Sequence, residues 1–323
     1  MYMKKIFGLI AALILVLGCD DGDMTFKTFD FSSANVEKCD NAIFKINSNG
    51  TEVLILNLDP SVLINVSTLN PVTGEHVPRI INLGVTGSNT ILYRNYATKI
   101  TKDQLCGGVT SAPPNLLDEW KGEGTLSIRT DAIVIKGKLT SYTHQITLKN
   151  ISFNKGDETI IINDNLFGSI DSPLNITFDF VEEDAEAPVI TPCTDYDLLF
   201  TRKGNEALIL SLADDLPTTE GTKTIPLEGQ VANSVIFKTF ENTITDANIC
   251  NLVTPPPTPK LLQQWRAKSG TISIITTKVA GNFTHEIRFM NITFSNITIP
   301  LETFNLSDII TVDPEKGYLF GKY

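Results

Sequence analysis

The sequence predicts an all-β protein of two tandem, internally duplicated β-sandwich domains. Three observations carry that expectation. A long segment of the chain returns in near-copy, so the protein is two versions of one unit. Short stretches alternate polar and apolar residues, the period of a half-buried strand. Thr, Val, Ile and Phe recur between Gly, Pro and Asn punctuation, and long helical periodicity is absent.

The duplication is plainest in Thr143–Phe153, which returns as Thr284–Phe294 with six of eleven positions identical, where average composition gives about one by chance. Cys39–Leu58 aligns without gaps on Cys193–Leu212, and Asn89–Cys106 on Asn233–Cys250. Leu116-Leu117-x-x-Trp120 matches Leu261-Leu262-x-x-Trp265, and Gly124–Ile128 matches Gly270–Ile274. Thr28-Phe29-Asp30-Phe31 opens the first copy as Thr177-Phe178-Asp179-Phe180 opens the second. Units this long are whole domains rather than solenoid repeats. The expected division is 1–18 signal peptide, 19–24 acidic tether, 25–173 repeat 1 and 174–323 repeat 2. Each repeat is long enough to bury about two-thirds of its unfolded surface.

Within each repeat, Asn49-Gly50 between Ala42–Asn47 and Val53–Leu58 is a hairpin signal, and Gly204-Asn205 keeps its turn chemistry in the second copy. Thr125-Leu126-Ser127-Ile128 and Thr271-Ile272-Ser273-Ile274 read as strands. The helical candidate in each copy is Leu-Leu-x-x-Trp, because residues at i and i+4 share a helix face.

At the N-terminus, Lys4 and Lys5 precede an apolar run, Ile6–Leu17, too short to span a bilayer and of the right length for a secretory signal. It ends in Val16-Leu17-Gly18-Cys19, which resembles the lipobox of bacterial lipoproteins. The resemblance implies cleavage before Cys19, thioether lipidation of its sulfur and fatty acylation (a palmitate-type chain) of the new amino terminus. Several acyl chains make a stable membrane anchor where one holds only marginally. The acidic run Asp20-Asp21-Gly22-Asp23 is a solvated tether, or a sorting signal of the kind some lineages use for the outer cell surface. The expected location is therefore the outer membrane, exposed on the cell surface, with a periplasm-facing position as the alternative.

Five cysteines in an exported chain leave one to explain. Lipidation accounts for Cys19, and the other four fall at matching places, which predicts disulfides Cys39–Cys106 and Cys193–Cys250 in an oxidising compartment. Zinc is not expected, since Cys-x-x-Cys does not occur and the three histidines do not cluster near the cysteines. Loss of residues 1–18 removes two of the 26 basic side chains and none of the 37 acidic ones, moving the formal charge from −11 to −13. That sign argues against nucleic-acid partners.

The two copies act as controls on each other in the search for chemistry. His144 and His285 share strand parity with Ile146 and Leu148, and with Ile287 and Phe289, which predicts buried, hydrogen-bonded rings. His285-Glu286 opens like a metalloprotease motif, but Phe289 stands where the second histidine belongs. Asp118-Glu119 becomes Gln263-Gln264, so a carboxylate pair essential to both copies is excluded. Gly122-Glu123-Gly124 lacks the third glycine of a dinucleotide loop, and Gly-x-Ser-x-Gly and the phosphate loop are absent. The acidic clusters Glu182-Glu183-Asp184 and Asp214-Asp215 lack the spacing of a calcium loop. No catalytic site, cofactor or metal is expected.

Trp120 and Trp265 are candidate ligand-binding residues, able to stack on sugar rings, with core plugging as the alternative. Between Leu58 and Ser88 the first copy carries about ten residues more than the second does between Leu212 and Ala232, with His76 nearby as a third candidate. An added loop on a β scaffold is a common place for binding. In outline the chain resembles the sugar-binding lipoproteins of polysaccharide-uptake systems. The expected role is a non-catalytic binding module for a polysaccharide or an envelope protein, the alternative being a structural subunit of an outer-membrane or envelope complex.

Overall fold

The computed structural model describes residues 30–39, 42–107, 113–163, 165–194, 196–228 and 232–323. The signal peptide, Cys19, the acidic tether and the opening of repeat 1 lie outside the described residues.

Among the described residues, two separate antiparallel sheets of nine strands each carry nearly all of the regular secondary structure. In repeat 1 the strands are β1 (Glu37–Cys39), β2 (Ala42–Ile46), β3 (Glu52–Asn57), β4 (Arg79–Leu83), β5 (Thr90–Tyr96), β6 (Leu116–Ile135), β7 (Lys138–Lys155), β8 (Glu158–Ile162) and β9 (Asn165–Pro173). They run in the order β1-β2-β3-β5-β6-β7-β8, with β4 also on β6 and β9 also on β7. Repeat 2 uses β10 (Thr191–Pro192), β11 (Leu198–Lys203), β12 (Glu206–Ser211), β13 (Gly221–Pro226), β14 (Ser234–Phe240), β15 (Leu261–Val279), β16 (Asn282–Asn296), β17 (Thr303–Asn305) and β18 (Tyr318–Lys322). Its order, β10-β11-β12-β14-β15-β16-β17 with β13 on β15 and β18 on β16, matches the first strand for strand.

Each sheet folds over on itself along its two longest strands. The first half of β6 pairs with β5 and the second with β4. β7 correspondingly pairs with β9 and then with β8. The change occurs at a bulge beside Gly124, whose φ is +149°, opposite Asn150 at +50°. A Cβ on Gly124 would sit 2.6 Å from the Asn150 carbonyl oxygen, so only glycine fits. Gly270 and Asn291 repeat the device in β15 and β16, with φ of +119° and +52°. Strands that bend from one layer into the next are a known way to make the corner of a sandwich. Between the layers of repeat 1 lie Leu54, Leu56, Tyr93 and Trp120 from one side and Leu126, Ile128, Ile146 and Leu148 from the other.

The outer face of β2, β3 and β5 is buried as well, which is why these strands read as unbroken apolar runs. Phe44, Val53 and Ile55 pack there under Tyr96 and Ile100. The covering loop leads into the short helix α1 (Lys102–Leu105), closed by a capping box in which Thr101 and Gln104 bond reciprocally. Cys39–Cys106 ties this cover to β1 and Cys193–Cys250 does the same in repeat 2, pairing the four cysteines as their positions predict. Two other short helices, α2 (Ala247–Cys250) and α3 (Leu306–Ile309), occur in repeat 2.

Leu-Leu-x-x-Trp is not helical in either copy. It begins β6 and β15, with Asp118, Trp120 and Gly122 alternately buried. Residues four apart also share a face of a strand, because four is an even number, so the spacing alone could not separate the two structures.

The end of the β6–β7 hairpin joins the repeats. Leu139 and Tyr142 are counted within the apolar core of repeat 2, beside Ile176, Phe304 and Leu306. Thr303 donates to the Gly137 carbonyl at 2.8 Å, and Lys138 pairs with Asp308 at 2.8 Å. In repeat 2 the corresponding hairpin is shorter. Thirteen residues separate the paired Thr130 and His144, against eight between Thr276 and His285.

Candidate functional site

The two tryptophans do not form a binding surface. Trp120 and Trp265 are 1% and 0% exposed, so neither ring offers a face to a sugar, and their candidacy as ligand contacts is corrected to core packing. Trp120 donates its indole N–H to Asp118 at 2.8 Å, and Asp118 also receives the Lys155 ammonium. Trp265 has no such acceptor among the described residues, because Gln263 stands where Asp118 would be and turns elsewhere.

Both inner histidines are buried in hydrogen bonds. Arg79 donates to the Thr130 hydroxyl at 2.6 Å, and that hydroxyl shares a hydrogen bond with His144 Nδ1 at 2.8 Å. The other ring nitrogen, Nε2, shares a hydrogen bond with the Ser172 hydroxyl at 3.0 Å, so both nitrogens are partnered. Burial, reinforced by the nearby Arg79 and Lys38 charges, pushes the His144 pKa down to about 4, which keeps the ring neutral. His285 meets Thr276 at 3.1 Å and is likewise lowered by burial.

His76 serves to hold the inserted loop. Its Nε2 lies 3.0 Å from Asp131 Oδ1 and its Nδ1 3.0 Å from the Thr68 hydroxyl. This chain of acid, imidazole and hydroxyl has the order of a catalytic relay, but Thr68 is buried and its oxygen accepts the Thr130 N–H at 3.0 Å. A hydroxyl committed to strand backbone is not a nucleophile poised for substrate. Arg79 completes the attachment by donating to the Val66 carbonyl at 2.9 Å. His76 thus anchors the inserted segment while its side chain stays 18% exposed.

The anchored loop reaches repeat 2. Asp59 caps a 3-10 turn over Pro60–Leu63 by accepting from the Ser61 N–H. Beyond it, the Asn65 carbonyl accepts from Gln263 Nε2 at 2.7 Å, and the same nitrogen donates to the Tyr142 hydroxyl at 2.8 Å. Tyr142 donates in turn to Glu302 Oε2 at 3.2 Å, which also accepts from Asn296 at 2.9 Å. Glu302 is 2% exposed and its second oxygen has no partner among the described residues, so burial raises its pKa.

Above this joint lies a cleft of about 730 Å³, within the range of small-ligand sites. One wall is the inserted loop, Asp59–Val66; the other is Thr239–Asn242 with Leu262 and Gln263 of repeat 2; Ser172, Pro173 and Asn175 form the end between them. The lining combines amides, hydroxyls and carboxylates with Pro60, Leu63 and Ile64. Among the described residues, no group of three or more His, Cys, Asp or Glu is placed to hold a metal ion. No helix among them is long and apolar enough to cross a membrane. Sequence comparison had pointed to the inserted loop by its length, but not to the surface of repeat 2 opposite it.

Compared with known proteins, the chain matches no protein-family model, no curated protein and no solved structure. The class that the fold itself defines is a duplicated all-β protein with one folded nine-stranded sheet per repeat.

Proposed function

We propose that this protein is a lipid-anchored, non-catalytic binding module of the cell envelope that holds a glycan in the cleft between its repeats. The observation that carries this reading is the composition of the cleft from both repeats and from the one long insertion that distinguishes them. A loop held by His76, Arg79 and Thr68 presents a fixed wall, and preorganised walls lower the ordering cost of binding. The hydroxyls nearest the histidines are spent on structure, which supports binding over chemistry. The lipobox supports an outer-membrane, surface-exposed location, tested by loss of membrane association in Cys19→Ala and by protease accessibility on intact cells.

The mature chain, kept in detergent with its disulfides intact, is offered to immobilised polysaccharides with and without calcium. Saturable binding to a glycan class, lost when Asn242→Trp fills the cleft, is the expected result. Binding that survives Asn242→Trp sinks the cleft as the site. A second reading, a structural subunit of an envelope complex, draws on Val72 and Val77 of the preceding loop and Ile80 of β4, which are 90%, 66% and 62% exposed. It gains if no glycan binds and a partner protein co-purifies through that face.

A further inference from the structure

The polar groups of the cleft are oriented with a bias. Asn65 Nδ2 donates to the Pro173 carbonyl at 2.7 Å, and Asn205 Nδ2 donates to the Phe240 carbonyl at 2.9 Å. Gln263 Nε2 is occupied by the Asn65 carbonyl and Tyr142. Carbonyl oxygens only accept, so in all three amides the nitrogen must face the protein. Gln263 thereby spends both of its N–H donors inside the protein, and Asn65 and Asn205 spend one of their two each. Gln263 is nine-tenths buried, and its Oε1 accepts no hydrogen bond from the described residues.

The charges of the cleft have the same bias. Asp59 and Glu241 line it, and no Lys, Arg or His does so among the described residues. Ser61 donates both its N–H and its hydroxyl to Asp59, which holds that carboxyl below its usual range and so ionised. A carboxylate, sulfate or phosphate brought here would meet the carboxylates of Asp59 and Glu241 with no cation lining the cleft among the described residues. Sugar hydroxyls are donors as well as acceptors and suit such a lining, while Pro60, Leu63 and Ile64 offer surface to the C–H face of a ring.

We infer that the cleft selects an uncharged, hydroxyl-rich oligosaccharide and rejects acidic glycans of the same length. This rests on the cleft being the glycan site. Isothermal titration of the mature protein in detergent against neutral hexose tetrasaccharides and tetragalacturonate tests it. The neutral ligands are expected to bind at least roughly tenfold more tightly, a difference of about 1.4 kcal/mol. Glu241→Lys, at an exposed position of the wall, should narrow that gap by roughly fivefold through the changed local charge. Glu315→Lys makes the same charge change away from the cleft and should leave the gap unchanged. Equal or tighter binding of tetragalacturonate by the unmodified protein overturns the inference, and so does an equal narrowing by Glu315→Lys, which would assign the selectivity to overall charge. In both cases, sensitivity to Asn242→Trp leaves the cleft standing as the site. Absence of binding to every ligand, neutral and acidic, overturns both readings.

Discussion

At the residue scale, hydrogen bonds explain which differences between the copies matter. Asp118 and Gln263 occupy equivalent places, yet one satisfies a tryptophan and the other joins two repeats. The comparison of copies could say that no shared carboxylate chemistry exists, but not that the amide had been recruited to a joint. Tyr142, where repeat 2 has Phe283, is the hub of that joint, so its hydroxyl matters in one copy only. Tyr142→Phe is expected to cost about 1–2 kcal/mol in urea unfolding, through the acceptor lost to Gln263 and the donor lost to Glu302. His144 sets a pH dependence. Its folded pKa of about 4 lies below the ordinary 6.5, so protons bind the unfolded chain first as pH falls. Stability is full above about pH 6.5 and declines down to about pH 4, by on the order of 3 kcal/mol. Urea midpoints measured across that range should show the decline, and His144→Gln should flatten it. Burial of the His rings was legible from strand parity; their partners, Ser172 and Thr130, were not, since pairing across strands requires the register.

At the scale of elements, the hairpin around Asn49-Gly50 was plain in the sequence because its turn and both strands are adjacent. The sheet corner was not. Gly124 and Asn150 are far apart in the chain, and nothing local says that they face each other; only their retention as Gly270 and Asn291 hinted at a constraint. Gly124→Ala forces a Cβ against the Asn150 carbonyl at positive φ and is expected to destabilise repeat 1 by about 2–3 kcal/mol in urea unfolding. Replacing both Cys39 and Cys106 by serine opens a loop with a separation of 67 residues. The expected loss is about 4 kcal/mol in the chain-entropy model, read from the shift in denaturation midpoint. The misread Leu-Leu-x-x-Trp segment belongs at this scale too, since only its length and its neighbours distinguish a strand from a helix turn.

For the whole molecule, the repeats share an interior. Leu139 of repeat 1 lies in the core of repeat 2, so Leu139→Ala is expected to cost about 2–4 kcal/mol and to weaken the second repeat as well as the joint. Calorimetry should show one cooperative transition in the unmodified protein and a separated, lower transition for repeat 2 in the variant. A single transition that shifts as one would mean that the two repeats unfold as one body without depending on this contact. The number of repeats and the all-β class were visible in the sequence. The cleft was visible only as an unexplained surplus of residues, because its second wall is brought into place by tertiary docking.

The longer β6–β7 hairpin makes the two units non-interchangeable. One lends side chains to its neighbour's interior, and the other, with five fewer residues in the corresponding hairpin, lends none to the first core among the described residues. Spliced in reverse order, the same two sequences would leave Leu139 and Tyr142 facing solvent and the receiving surface uncovered. What began as a symmetrical duplication has become a molecule with a direction.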